Sequence, residues 1–223
     1  MELGELEKAF RRAAHDEKNP PFWSPEEVAQ LFTDAHEEAV LRQRLLYEAS
    51  NPAMCEIAIE IGTSEYKLDR RWLEIVSAGY APAGRTRRDT VKLLAVETMD
   101  AGSCSWREDG WTVQDWVIVD GRTLRLTGLP HRAGTIYLEG YRRPMRPLEA
   151  PEDVPEIEEV HHRFLVHWAL HAAFGDEDAD CFNANKSMQE LAKFEQYFGL
   201  RSNAKLKRWT RHDLPHHNTP ILP

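Results

Sequence analysis

Cysteine is scarce in this 223-residue chain: Cys55, Cys104 and Cys181 stand far apart, with no CxxC pair and one of the three necessarily odd. That spacing argues against a disulfide framework and against a zinc ribbon. It suits a chain made, or assembled, in a reducing compartment. No apolar run reaches 18 residues and the mean hydropathy is −0.58, so no membrane-spanning helix is expected. The first residues, Met1-Glu2-Leu3-Gly4-Glu5, lack the basic and apolar stretches of a secretory signal. GxSxG, P-loop and GxGxxG motifs are missing, and Ser64, Ser103, Ser105 and Cys104 sit in no nucleophile context. Repeats and low-complexity tracts are missing too. No catalytic residue, cofactor or metal is expected from these signals.

Apolar residues make up 42% of the chain and charged residues 29%, enough for a packed core. The net charge of −9 is uneven. Residues 201–223 carry +4, from Arg201, Lys205, Lys207, Arg208 and Arg211 against Asp213, which leaves −13 on residues 1–200. An acidic body with a basic tail implies two surfaces with different partners. The body should repel nucleic acid.

Hydrophobic spacing predicts a helix over 2–17, with Leu3, Leu6, Phe10 and Ala13 on one face, closed by Asn19-Pro20-Pro21. A second helix, 25–47, opens with Ser24 as cap, Pro25 in its first turn and Glu27 completing a capping box. Its apolar stripe is Val28, Leu31, Phe32, Ala35, Ala39 and Leu46. Its polar face carries Asp34, Glu37, Glu38, Arg42 and Arg44. The period then changes from 3.6 to 2. Ile57, Ile59 and Ile61 alternate with Glu56, Ala58 and Glu60, and a further strand is expected around Trp72–Val76. Residues 79–88 read as a loop bearing Arg85, Arg87 and Arg88, and Val91–Thr98 fits either a strand or a short helix. Trp116–Val119 and Thr123–Leu126 flank an Asp120-Gly121 hairpin turn, and 134–141 is another strand. An extended, acidic, proline-rich segment leads to helices at 156–174 and 178–198, with Gly175 and Gly199 suited to their C-terminal ends.

The expected fold class is therefore α+β. N- and C-terminal helices form an antiparallel bundle around a central antiparallel β insertion at about 55–144, giving a domain over 1–199. An extended arm, 200–223, cannot make a core of its own.

Four histidines share the third long helix. His167 and His171, four apart, lie on one face and could begin a metal site with an acid from elsewhere. HExxH is absent, so interface histidines on an amphipathic helix are the simpler reading. Asp176–Asp180 fails the calcium-loop pattern and suits a helix connection. Most of the seven tryptophans fit core packing. Trp209, set among Lys205, Lys207 and Arg208, has the composition of an interface anchor, although a nucleic-acid contact or an unengaged tail fits the same residues.

Three stretches, in this order, carry a family likeness. The first is Trp23-Ser24-Pro25-Glu26-Glu27 leading to Arg42-Gln43-Arg44-Leu45-Leu46-Tyr47. The second is Leu138-Glu139-Gly140-Tyr141-Arg142-Arg143-Pro144, then Leu148. The third is Pro155-Glu156-Ile157, His161 or His162, Leu165-Val166-His167-Trp168-Ala169-Leu170, Ala173-Phe174, Asp178, Asp180, Ala184, Phe194 and Phe198-Gly199. Over residues 22–199 the chain resembles the head-to-tail adaptor (connector) proteins of tailed bacteriophages. The resemblance implies a structural, non-enzymatic subunit of a ring, usually of twelve copies, at the head–tail junction of the virion, made in the host cytoplasm. Its implied partners are the portal ring, a tail or nozzle protein, and other copies of itself, with DNA passing through the channel without specific binding. The arm (Arg201, Lys205, Lys207, Arg208, Trp209, Arg211) would reach the portal. Arg85, Arg87, Arg88, Glu37, Glu38, His167 and His171 are candidates for contacts between subunits. Two other readings stand beside it: a metal-dependent hydrolase or nuclease using the histidines, and a tail-completion or tail-tube ring protein.

Overall fold

A computed structural model describes residues 1–201 except 86, 95, 97–98, 101–103, 108–115, 121 and 177–180, and for 104–105 and 116–120 the backbone alone. Its elements are α1 (Leu3–Ala14), α2 (Pro25–Gln43), β1 (Tyr47–Glu48), α3 (Pro52–Cys55), β2 (Glu56–Ile59), β3 (Glu65–Lys67), β4 (Trp72–Pro82), β5 (Asp89–Leu94), a 3-10 turn (Cys104–Arg107), β6 (Trp116–Asp120), β7 (Thr123–Leu126), β8 (Gly134–Arg142), α4 (Glu159–Gly175) and α5 (Ala184–Phe198). The chain is mixed α and β and divides into two compact units.

The helical unit comprises residues 1–50, 71–76 and 139–201. Here α4 packs against α5, α2 and α1. Leu6, Phe10, Phe32, Leu165, Phe194 and Phe198 are fully enclosed. Each such side chain contributes about 1.5–3 kcal/mol of burial. Phe10 meets Trp23 edge-on at 5.3 Å, and Trp23 meets Phe174 edge-on at 5.6 Å, so the residue before the α2 cap joins α1 to α4.

The start of α2 follows the expected chemistry. Ser24 N donates to Glu27 Oε2 at 2.7 Å, and Glu27 N donates to Ser24 Oγ at 3.2 Å. The backbone bond to Ser24, then the side-chain bond, hold the Glu27 carboxyl below its ordinary range. The end of α2 differs from the expected Tyr47. Arg44 turns left-handed (φ 54), its N–H closing on Val40 O at 2.8 Å, and residues 47–48 join the sheet, Tyr47 opposite Tyr141. Strand pairing overrides helical spacing here. α4 starts at Glu159 rather than 156, and α5 at Ala184. Val160, Phe182 and Met188 are exposed apolar residues, Met188 by 69%.

The second unit contains residues 51–70 and 77–138. Asn51 caps α3 by accepting Ala53 N–H at 3.1 Å. β2 pairs antiparallel with β8 from Glu56–Tyr137 to Ile59–Gly134 and ends there, leaving Ile61 66% exposed. The expected loop at 79–88 is half strand. β4 runs to Pro82 and pairs antiparallel with β5, Ala78 opposite Val91 and Tyr80 opposite Asp89. Residues 89–94 are strand, not helix. β5 and β6 pair in parallel, Lys92 with Trp116 through Leu94 with Ile118, which corrects the all-antiparallel expectation. Parallel neighbours need a long crossover. Twenty-one residues, 95–115, separate the two strands in sequence, and among the described ones buried Trp106 donates to Asp100 at 2.9 Å. β6 and β7 form the expected hairpin, and the register pairs Asp120 with Thr123. That puts the connection at 121–122, with Gly121 outside the described residues. β7 then pairs with β3.

Candidate functional site

The histidines of α4 face α5 or the chain start. His167 Nδ1 lies 2.6 Å from Glu190 Oε2. His171 Nδ1 lies 2.8 Å from Ser187 Oγ, and His161 Nδ1 3.1 Å from Tyr197 Oη. His162 is buried, with Nε2 2.9 Å from Ile157 O and Nδ1 3.0 Å from Met1 N. Burial alone would raise the Glu190 carboxyl. The bonds from Lys193 (2.6 Å) and His167 outweigh it and hold the group below its ordinary range. His167 and His171 thus act as polar ties between two packed helices. No group of three His, Cys, Asp or Glu able to hold a metal occurs among the described residues.

The two candidate contact acids of α2 take different positions. Glu37 is partly exposed and lies 3.3 Å from Arg143. Glu38 is enclosed and accepts from Arg42 Nε at 2.9 Å. Arg42, its side chain 4% exposed, also donates to Glu195 (3.3 Å) and to Gly199 O (2.7 Å), and lies over the Trp168 and Phe194 rings. A buried guanidinium needs such a full set of partners. Gln43 adds a bond to Tyr197 O at 2.9 Å. Together these contacts fix the point from which the basic arm departs. Arg201, at its root, comes within 3.9 Å of Glu38. Lys205, Lys207, Arg208, Trp209 and Arg211 lie outside the described residues.

The three loop arginines also separate. Arg88 stacks on the Tyr137 ring at 3.6 Å. Arg85 and Arg87 are exposed in the β4–β5 connection. The β7–β8 connection, hydrogen-bonded to theirs, carries exposed His131 and Arg132, which escaped the sequence reading. Ala83 N donates to Ala133 O at 3.0 Å, and Tyr80 Oη donates to Arg132 O at 3.2 Å.

Sequence reasoning also missed a buried polar network. Arg142 bonds Glu48 (3.1 Å) and Glu156 (2.6 Å), tying β1 and β8 to the segment before α4. His36, on the inner face of α2, is 1% exposed, and its Nε2 has no hydrogen-bond partner among the described residues. The Leu138–Pro144 stretch acquires physical roles. Leu138 is core, Arg142 holds the network, and Arg143 N bonds Arg71 O at 2.8 Å. At Gly140 a Cβ would stand 2.1 Å from Glu74 O, so only glycine fits.

Among the described residues no helix is long and apolar enough to cross a membrane. No curated protein matches this chain. The enclosed ion pairs and histidine ties make the helical unit a tied structural body. In keeping with that body, residues 1–216 match the family model described as SU10 adaptor protein, and the chain belongs to that family of structural bacteriophage adaptors.

Proposed function

We propose that this phage structural adaptor is the subunit of a twelve-membered ring that joins the portal to the tail and extends the DNA channel. The observation that carries the reading is the family match over residues 1–216, which includes both units and the basic residues of the arm. Charge supports it. The helical unit holds 25 Asp and Glu against 14 Lys and Arg. An acidic wall gives passing DNA no phosphate contacts that would slow ejection. Portal ring, tail or nozzle protein, and neighbouring copies are the proposed partners, at the head–tail junction of the virion. The arm, with Trp209 among its cations, is the proposed portal anchor, ordering on binding.

Electron microscopy of the purified chain mixed with portal rings tests this. Twelve-fold rings on the portal are expected. Another copy number favours a tail-completion or tail-tube ring, and absence of portal binding overturns the adaptor position. Deleting residues 200–223 should leave both units folded and abolish portal binding. Binding at full affinity by the truncated chain removes the arm as anchor.

A further inference from the structure

We propose that the joined β4–β5 and β7–β8 connections form a basic tip that docks on the acidic helical unit of a second copy of this chain. The inference rests on the ring reading above and names the surfaces that would close the ring.

The tip is built, not incidental. Tyr80 Oη donates to Arg132 O (3.2 Å) and lies 3.3 Å from Ala133 O, and Ala83 N–H bonds Ala133 O at 3.0 Å, so the two connections are tied to each other. The tie depends on Gly134. A Cβ there would stand 2.5 Å from both Ala81 O and the Tyr80 ring. This clamp joins the connection that carries exposed Arg85 and Arg87 to the one that carries exposed His131 and Arg132. The acid that meets them is Asp89, 3.9 Å from Arg87 with side chains 61% and 90% exposed, a pair that water and salt largely screen. Arg85 and Arg132 make no ion pair among the described residues. Cationic side chains on two joined connections with so little compensation favour a carboxylate-bearing partner. The planar fork of arginine matches carboxylates in two-point contacts.

Duplex DNA is also anionic, but the chain as a whole carries −9 and repels it. The helical unit of another copy, with 25 acids against 14 basic residues, is the complementary surface always present at equal concentration. Each copy would then offer one tip and accept one. Such a contact between unlike surfaces is what closes a ring.

The test uses the full chain carrying Arg87→Lys, which keeps the charge and adds a reactive amine. Half of the material is labelled with 15N. A zero-length carbodiimide couples the introduced amine to any carboxylate it touches, with and without portal rings present. Mixed-isotope products joining position 87 to an acid within residues 1–50 or 139–201 are expected. In parallel, Arg85→Glu/Arg87→Glu/Arg132→Glu should weaken self-association at least about tenfold with unchanged circular dichroism. Products confined to one chain, or a triple variant that assembles like the parent, overturn the tip. Arginine-dependent retention of a duplex oligonucleotide without inter-copy products reassigns the tip to DNA. The two readings separate cleanly. Normal rings from the triple variant remove the tip and keep the ring, whereas inter-copy products without rings keep the tip and remove the ring.

Discussion

Acidification should unfold this chain partly through one histidine. His36 is enclosed on α2, and the charged groups that face it are Glu156, His162 and Arg142. Burial drives its pKa from 6.5 down to about 4. Glu156 opposes that shift, while His162 and Arg142 add to it. The unfolded chain therefore takes up a proton near pH 6.5 that the folded chain refuses until about pH 4. Stability is unaffected above that window, falls as pH drops through it, and stops falling from this cause below about pH 4. At about 1.4 kcal/mol per pKa unit, the full loss is about 3 kcal/mol. Net stabilities are only about 5–15 kcal/mol, so the loss is measurable. The assay is urea unfolding of the parent and of His36→Leu at about pH 7 and pH 4.5. Leucine removes the proton site and the unpaired Nε2 together. At neutral pH the variant should be unchanged or gain about 1 kcal/mol, since an orphaned polar atom is gone. Between these two pH values it should lose about 2.5 kcal/mol less than the parent, since the full loss is reached only below pH 4. Parallel losses in the two proteins would refute the argument.

Arg42→Ala should destabilise the helical unit by about 3–5 kcal/mol, because Glu38 is left buried without its partner. A loss under about 1 kcal/mol by the same unfolding assay would mean that water replaces the guanidinium. Gly140→Ala should cost about 3 kcal/mol in thermal melts, the upper end for overpacking, since the new methyl would stand 2.1 Å from Glu74 O. Ser24→Ala should cost about 1 kcal/mol and Ser24→Gly only a few tenths, read by denaturant midpoints, and equal losses would show that the cap bond contributes little.

The parts of the fold legible in the sequence were those governed by local chemistry. Ser24, Pro25 and Glu27 announced the start of α2, and the strand expected at 134–141 is β8. What escaped was set by distant partners. No spacing in residues 44–48 says that Tyr47 will pair with Tyr141, so α2 was drawn four residues too long. Nothing in 89–94 announces a parallel neighbour at 116–118. Charge position showed the same limit. Glu37 and Glu38 are adjacent in sequence, yet one meets solvent and the other closes on Arg42. Arg85 and Arg87 were visible as a cluster, but Arg132 joins them only through the Tyr80 clamp.

The helical unit draws its helices from two distant stretches, 1–50 and 139–201, with 71–76 added from between them, and α1 and α2 find α4 only across that span. During synthesis the apolar faces of α1 and α2 must therefore wait for about a hundred further residues to be made. At about 5–20 residues per second, that is on the order of ten seconds of exposure on the ribosome. A nascent chain arrested before Glu159 should hence bind holdase chaperones, and one released past Phe198 should shed them. For the same reason no single cut liberates the helical unit as a continuous fragment. It would have to be expressed as a permuted chain in which residues 139–201 are linked to residues 1–76, so that the segment 71–76 is kept.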